Sequence, residues 1–263
     1  MARHNYVSLY GFASNLPKIA SLGEKQRATL SLKVVKGPRD SYDGDIQLKT
    51  ALPLIATSNK NIIEILNQVH ENDILLVKGN IITTPCSKPS LCPHCQKENK
   101  FEGLLTYINP ISIIIVKTGL TKEEALKNIV DNCEFSNEVC IIGHLGSSPE
   151  RVPVLKDILE TQYKIGIPRK FHIREDDQNI KSDFPYVKSY GKNAEDDLKY
   201  AKIGTTVLID GYLQGRKFPR KSECVHCGEQ YEWKDSALEV VTYQTEYIKN
   251  LKTEKNDEDE EGC

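Results

Sequence analysis

Apolar residues recur with period two at Val7-x-Leu9-x-Gly11 and at Leu30-x-Leu32-x-Val34, the pattern of half-buried strands. Around 59–70 the spacing changes. Ile62, Ile63, Ile65 and Leu66 predict a short amphipathic helix, with Ser58 placed to cap it. Residues 74–79 and 111–116 return to strand character. The second half repeats the series: 139–143, Tyr163-x-Ile165-x-Ile167 and 186–190 read as strands, 193–202 as a helix, and 207–211 and 238–243 as strands. Between the halves, Thr121-x-x-Glu124 before Ala125, Leu126, Ile129 and Val130 predicts a helix opened by a capping box.

The repetition runs at one offset. Asn5-x-Val7-x-Leu9-x-Gly11 returns as Asn137-x-Val139-x-Ile141-x-Gly143, Pro17 as Pro149, Gly79 as Gly211, and Cys92-x-His94-Cys95 as Cys224-x-His226-Cys227; each pair is 132 residues apart. Phe101 corresponds to Trp233 at the same offset. A period this long indicates two tandem domains rather than a solenoid. Three strands, a helix, a strand and a long excursion before the last strand is the order of an OB-fold, a five-stranded Greek-key barrel. The fold class expected is mainly β: two tandem OB-fold barrels, each with a Cys-x-x-Cys hairpin before its last strand. Copy one is expected at 1–118, a helical linker at 119–136, copy two at 137–248, and a disordered acidic tail at 249–263.

Charge changes the picture only after that division. The chain of 263 residues has 35 Lys+Arg, 37 Asp+Glu and a net charge of −2. Five of the acids are residues 257–261; without them the body is +3. An acidic tail on a mildly basic body differs from a uniformly neutral surface. No apolar run approaches the ~20 residues that cross a bilayer, and the N-terminus has no signal-peptide pattern. A cytoplasmic protein without membrane association is expected.

Copy two also carries a resemblance. Asn137-Glu-Val-Cys-Ile-Ile-Gly-His-Leu145 with Pro149-Glu150, then Asp183-Phe184-Pro-Tyr-Val-Lys-Ser-Tyr190-Gly-Lys-Asn-Ala194-Glu195, then 203–218 from Ile203-Gly204 to Arg216-Lys217-Phe218, resembles the bacterial single-stranded DNA-binding protein family. That resemblance implies base-stacking aromatics at Phe171, Phe184, Tyr190 and Phe218. The residues themselves agree, because an aromatic ring flanked by cations offers a stacking surface and countercharge for phosphates. Arg169, Lys170 and Arg174 flank Phe171; Arg216, Lys217, Arg220 and Lys221 flank Phe218; Lys188 and Lys192 lie near Tyr190. Trp233, just past the second Cys-x-x-Cys, joins the candidate set. The other reading makes these aromatics partly buried strand residues and the cations a solvated rim. At the same offset copy one has Arg39, Leu52, Ser58 and Cys86 in place of the four aromatics, with Tyr6, Tyr10 and Phe12 on the strand face opposite Val7 and Leu9. Copy two is therefore expected to bind DNA more strongly. The resemblance further implies assembly of several OB-folds, for this chain a homodimer of four barrels, and an acidic tail that recruits replication and repair proteins. This tail ends Glu260-Glu261-Gly262-Cys263, without the family's aromatic tip.

The eight cysteines divide by spacing. In each Cys-x-x-Cys turn both thiolates can face one ion, and two turns complete a tetrahedral zinc site. Cys92, Cys95, Cys224 and Cys227 are the candidate ligands of a structural zinc. Sharing one ion between the copies is the economical arrangement; a local site with Cys86, or pairing between chains, are alternatives. His94 and His226 each precede a knuckle cysteine and read as non-ligands.

Catalysis is not expected. The zinc-deaminase pattern needs His-x-Glu with Pro-Cys-x-x-Cys, whereas His70-Glu71 lack the spacer and Leu91 and Glu223 precede the knuckles. Phosphate-loop, Gly-x-Ser-x-Gly and His-Glu-x-x-His motifs are absent from the sequence. An OB module that binds RNA or docks proteins is the competing function, since the fold serves several ligands.

Overall fold

The computed structural model describes residues 4–23, 25–36, 49–152, 158–169 and 180–249. In the first half, β1 (His4–Ala13), β2 (Lys18–Leu22), β3 (Lys25–Val35), β4 (Thr50–Ala51) and β5 (Leu54–Thr57) precede α1 (Lys60–Leu66), β6 (Ile74–Leu91) and β7 (Glu98–Lys117). Pairings β1–β3, β3–β5, β5–β7, β7–β6 and β6–β1 close a ring, with β5–β7 parallel. In the second half, β8 (Asn137–Leu145), β9 (Glu150–Arg151), β10 (Glu160–Pro168), β11 (Ser182–Asp183) and β12 (Tyr186–Tyr190) precede α3 (Lys192–Tyr200), β13 (Thr206–Glu223) and β14 (Gln230–Lys249). The same ring closes through β8, β10, β12, β14 and β13. Both are OB barrels. Val7, Leu9, Leu75 and Val77 fill one interior; Val139, Ile141, Val207 and Ile209 fill the other.

Two details repeat at the 132-residue offset. The Asn5 amide donates to Ile81 O and accepts from Ile81 N–H, and Asn137 does the same with Leu213, all four bonds at 2.9 Å. Asparagine suits this place because its side chain carries the donor and acceptor of a peptide group, which the strands lack where their ladder ends. Beside them, β6 bulges at Lys78/Gly79 and β13 at Asp210/Gly211. A Cβ on Gly79 or Gly211 would run into the backbone oxygen of Asn109 or Val241, so the close approach needs glycine.

The barrels are joined strand to strand. β1 pairs with β8 antiparallel, from His4↔Ile142 to Leu9↔Asn137, with Val7 opposite Val139. Val7 thus faces its own counterpart, and the neighbouring pairs are two-fold related about that point. The linker helix α2 (Lys122–Asp131) has the expected capping box: Glu124 N–H donates to Thr121 Oγ1 at 3.3 Å, and Thr121 N–H to Glu124 Oε2 at 2.9 Å. Its Ala125 and Ile129 bury Phe12, Val35 and Ile74.

Several expectations shift. α1 is capped by Asn59, whose Oδ1 accepts from Asn61 and Ile62, not by Ser58. The hairpins before the last strands are longer than the strand patterns at 74–79 and 207–211 predict. β6 and β7 continue as one hairpin to Leu91 and Glu98, and β13 and β14 as another to Glu223 and Gln230. Tyr10 and Phe12 do not offer a free face: Phe12 is buried, and Tyr10 donates to Asn128 Oδ1 and packs edge-on against Phe135.

Candidate nucleic-acid interface

Alternation along β12 puts Phe184, Tyr186, Lys188 and Tyr190 on one outer face of barrel two. Phe184 is 45% exposed, and its ring lies beside Gly146 and Gly166, where a Cβ on Gly166 would crowd it. Tyr186 carries the Lys164 ammonium 5.1 Å above its ring. Sequence reading missed Tyr186 and Lys164. The signal was available, since Tyr186 shares strand parity with Phe184 and Tyr190. Tyr190 is half-buried, and burial first, then the Glu160 and Glu239 carboxylates, pushes its phenol up against the opposing Gln214 hydrogen bond and Arg216 charge. Lys192 is exposed at the start of α3.

Lys188 departs from expectation. It is 2% exposed, ion-paired to Glu160 and 3.9 Å from Glu239, so its ammonium belongs to the interior rather than to a phosphate contact. Arg169 is likewise buried. It forms a forked pair with Asp183 at 2.8 and 2.8 Å and donates to Thr83 O at 3.1 Å. Thr83 N–H and Oγ1 also donate to Asp183, so this ion pair fastens barrel two to the first hairpin. Lys170, Phe171 and Arg174 lie outside the described residues.

On β13 the basic cluster divides by strand parity. Lys217 and Lys221 are exposed. Arg216 and Arg220 turn to the hairpin's inner face. Arg216 grips Glu239 with bonds of 2.8 to 3.1 Å and lies 4.4 Å over the Phe218 ring. Arg220 donates to Glu102 O and Asp235 Oδ2. Lys88, 132 residues before Arg220, donates to Asp235 Oδ1 at 2.5 Å and to Ser236 O.

These contacts cross between the hairpins, whose inner faces pack together. Phe101 and Trp233 stack at 5.5 Å with 19° between planes, Arg220 lies above both, and the Trp233 indole N–H donates to Ser222 Oγ. Trp233 therefore sits in the contact between hairpins and not on the outer face of β14.

At the hairpin tips the Sγ atoms of Cys92, Cys95, Cys224 and Cys227 lie within 4.8 Å of one another, with Cys92–Cys227 at 3.8 Å and Cys95–Cys224 at 3.6 Å. Tetrahedral zinc with Zn–S of ~2.3 Å spaces its sulfurs ~3.8 Å apart, so the donor set fits that ion. Cys86 lies outside this cluster. Each turn closes alike: Gln96 N–H donates to Cys92 O and Gly228 N–H to Cys224 O, with Gln96 and Gly228 at φ 57° and 75°. Desolvation opposes ionisation of Cys224, but donation from the His226 and Cys227 backbone and from Asn99 brings it down to about 6. The Glu229 backbone favours the Cys227 thiolate, yet desolvation and the neighbouring sulfurs push it up to about 12. Four thiolates need a cation to coexist.

Two closed five-stranded barrels, each with a long hairpin before its last strand, define the fold as the OB type. Residues 136–247 match the model of the Single-strand binding protein family. Over 87 residues it is 31% identical to single-stranded DNA-binding protein 1 of Streptococcus pyogenes and 30% identical to protein 2 of Streptococcus agalactiae. The match spans 33% of this chain and 65% of the length of each relative. The fold extends further. A deletion variant of the single-stranded DNA binding protein from Thermus aquaticus aligns with TM-score 0.62 and 14% identity over 97% of this chain and 100% of its own. The wild-type Thermus protein aligns at 0.59 and 12%, over 95% of both chains.

Proposed function

We propose that the protein binds single-stranded DNA without reading its sequence, coating strands exposed in replication, recombination or DNA transfer. The observation that carries this reading is the outer face of barrel two. Within the family-matched segment, exposed Phe184 and half-buried Tyr186 and Tyr190, with Lys164, Lys192, Lys217 and Lys221 beside them, provide stacking planes and unpaired charge, while Phe218 shares the inner parity of Arg216. Stacking tolerates any base, and neutralised phosphates release counterions, so binding is unspecific and salt-dependent.

The two barrels are read as tandem copies of one domain, with copy two the stronger binder. A structural zinc held by Cys92, Cys95, Cys224 and Cys227 clamps the hairpins, and supplies charge neutralisation for four thiolates rather than catalysis. The β1–β8 pairing gives one chain two barrels; a homodimer carries four. The acidic tail, residues 249–263, is a docking segment for replication or repair proteins, and the setting is cytoplasmic. Competition among oligo(dT), oligo(U) and duplex DNA tests the reading: oligo(dT) displaces the others, whereas preference for RNA or duplex overturns it.

A further inference from the structure

The two places where a hairpin base meets the opposite barrel are not alike. β11 meets β6 on one side and β4 meets β13 on the other, related by the 132-residue offset. On the first side Thr83, Asp183 and Arg169 fill the junction with a charged, fully bonded lock. On the second, two of those positions hold Gly215 and Ala51; the third falls at residue 37, outside the described residues. No hydroxyl, carboxylate or guanidinium replaces the lock at Gly215 and Ala51. What remains is a cavity of about 370 Å³, within the ~300–1,000 Å³ of small-ligand sites.

Its lining has a defined chemistry. Leu52, Leu54, Leu105 and Leu238 supply the apolar walls, Thr50 and Ser236 supply hydroxyls, and Lys88, Arg216 and Lys217 supply the charge. Among the described residues, no acidic residue lines it. Lys88 and Arg216 are committed to Asp235 and Glu239, while Lys217 is exposed. Leu52 stands where barrel two has Phe184 and is 56% exposed, a large apolar surface in water. Lys217 lines the cavity and is also one of the exposed lysines of the proposed binding face, so the two are continuous there.

We infer that this cavity seats a nucleobase of the bound single strand, its phosphate held by Lys217. The inference rests on the proposed DNA-binding reading. Its consequence is a single path: the strand crosses the hairpin base at the open junction, because the Arg169–Asp183 lock closes the other.

The test uses full-length protein with ¹³C-methyl leucines, titrated with oligo(dT). Ring currents from the seated base shift the Leu52, Leu105 and Leu238 methyls. Ala237→Leu, which fills the cavity with one more apolar side chain, weakens oligo(dT) binding about fivefold or more, the loss of one base contact. If oligo(dT) binds but these methyls stay unmoved and Ala237→Leu binds normally, the cavity is not a base site and the general reading survives. If wild-type protein does not bind oligo(dT), both fall.

Discussion

Phe101 and Trp233, separated by 132 residues, stack on one another at the contact between the hairpins, 5.5 Å apart. Equivalent positions of two barrels meet face to face, as Val7 and Val139 do at the strand pairing. The hairpins are therefore fastened at three levels: the cysteine tips, this stack, and the Lys88–Asp235–Arg220 bridge below it.

A double-mutant cycle measures the stack. Phe101→Ala and Trp233→Ala each lower stability, and their coupling in urea unfolding is about 0.5–1.5 kcal/mol, as for other aromatic pairs. Additive losses would remove the stack from the account.

Zinc is expected at one ion per chain by elemental analysis, and Cys224→Ser or Cys92→Ser loses it. Chelation under reducing conditions frees the tips. Trp233, the only tryptophan, then reports solvent exposure by a red-shifted emission, while far-ultraviolet circular dichroism retains the barrels.

Asp235 ties stability to acid. Burial raises its carboxyl, but donation from Lys88 and Ser236 and the Lys88 charge outweigh this and hold it below its ordinary 3.8. A carboxyl lowered on folding contributes stability above 3.8, which is lost as pH falls through the folded value. Asp235→Asn therefore costs about 1.5–3 kcal/mol at neutral pH and flattens the acid limb of the melting temperature. An unchanged acid limb would exclude Asp235 as its source.

The cations separate by role. Lys188→Ala leaves Glu160 without its buried partner, while Glu239 keeps Arg216, and costs about 3–5 kcal/mol of stability. Lys217→Ala and Lys221→Ala stay within about ±0.5 kcal/mol, yet each flattens the salt dependence of oligo(dT) binding by about 0.7 in log–log slope.

Period-two patterns, the offset and the capping box made both barrels and the linker helix legible, because each depends on local spacing. Ligand counting made the shared knuckle site the economical one of three arrangements, and it is the one in which the four sulfurs lie together. Burial of Lys188 and Arg169 was not legible, since it depends on Glu160, Glu239 and Asp183 arriving from other strands. Nor was the length of the hairpins. The period-two stretches ended at 79 and began again at 111, yet a two-stranded ribbon packed on only one face keeps Pro85, Pro89 and the charges of 98–102 on the other. Trp233 resembled a DNA contact by its position just past the second knuckle; only the fold shows Phe101 opposite it.

Fluorescence anisotropy of labelled oligo(dT), titrated with full-length protein at two salt concentrations, tests the central claim most directly. Saturable binding that weakens at the higher salt and is competed poorly by duplex DNA is the predicted result. Absence of binding at either salt, or equal competition by duplex, would contradict it.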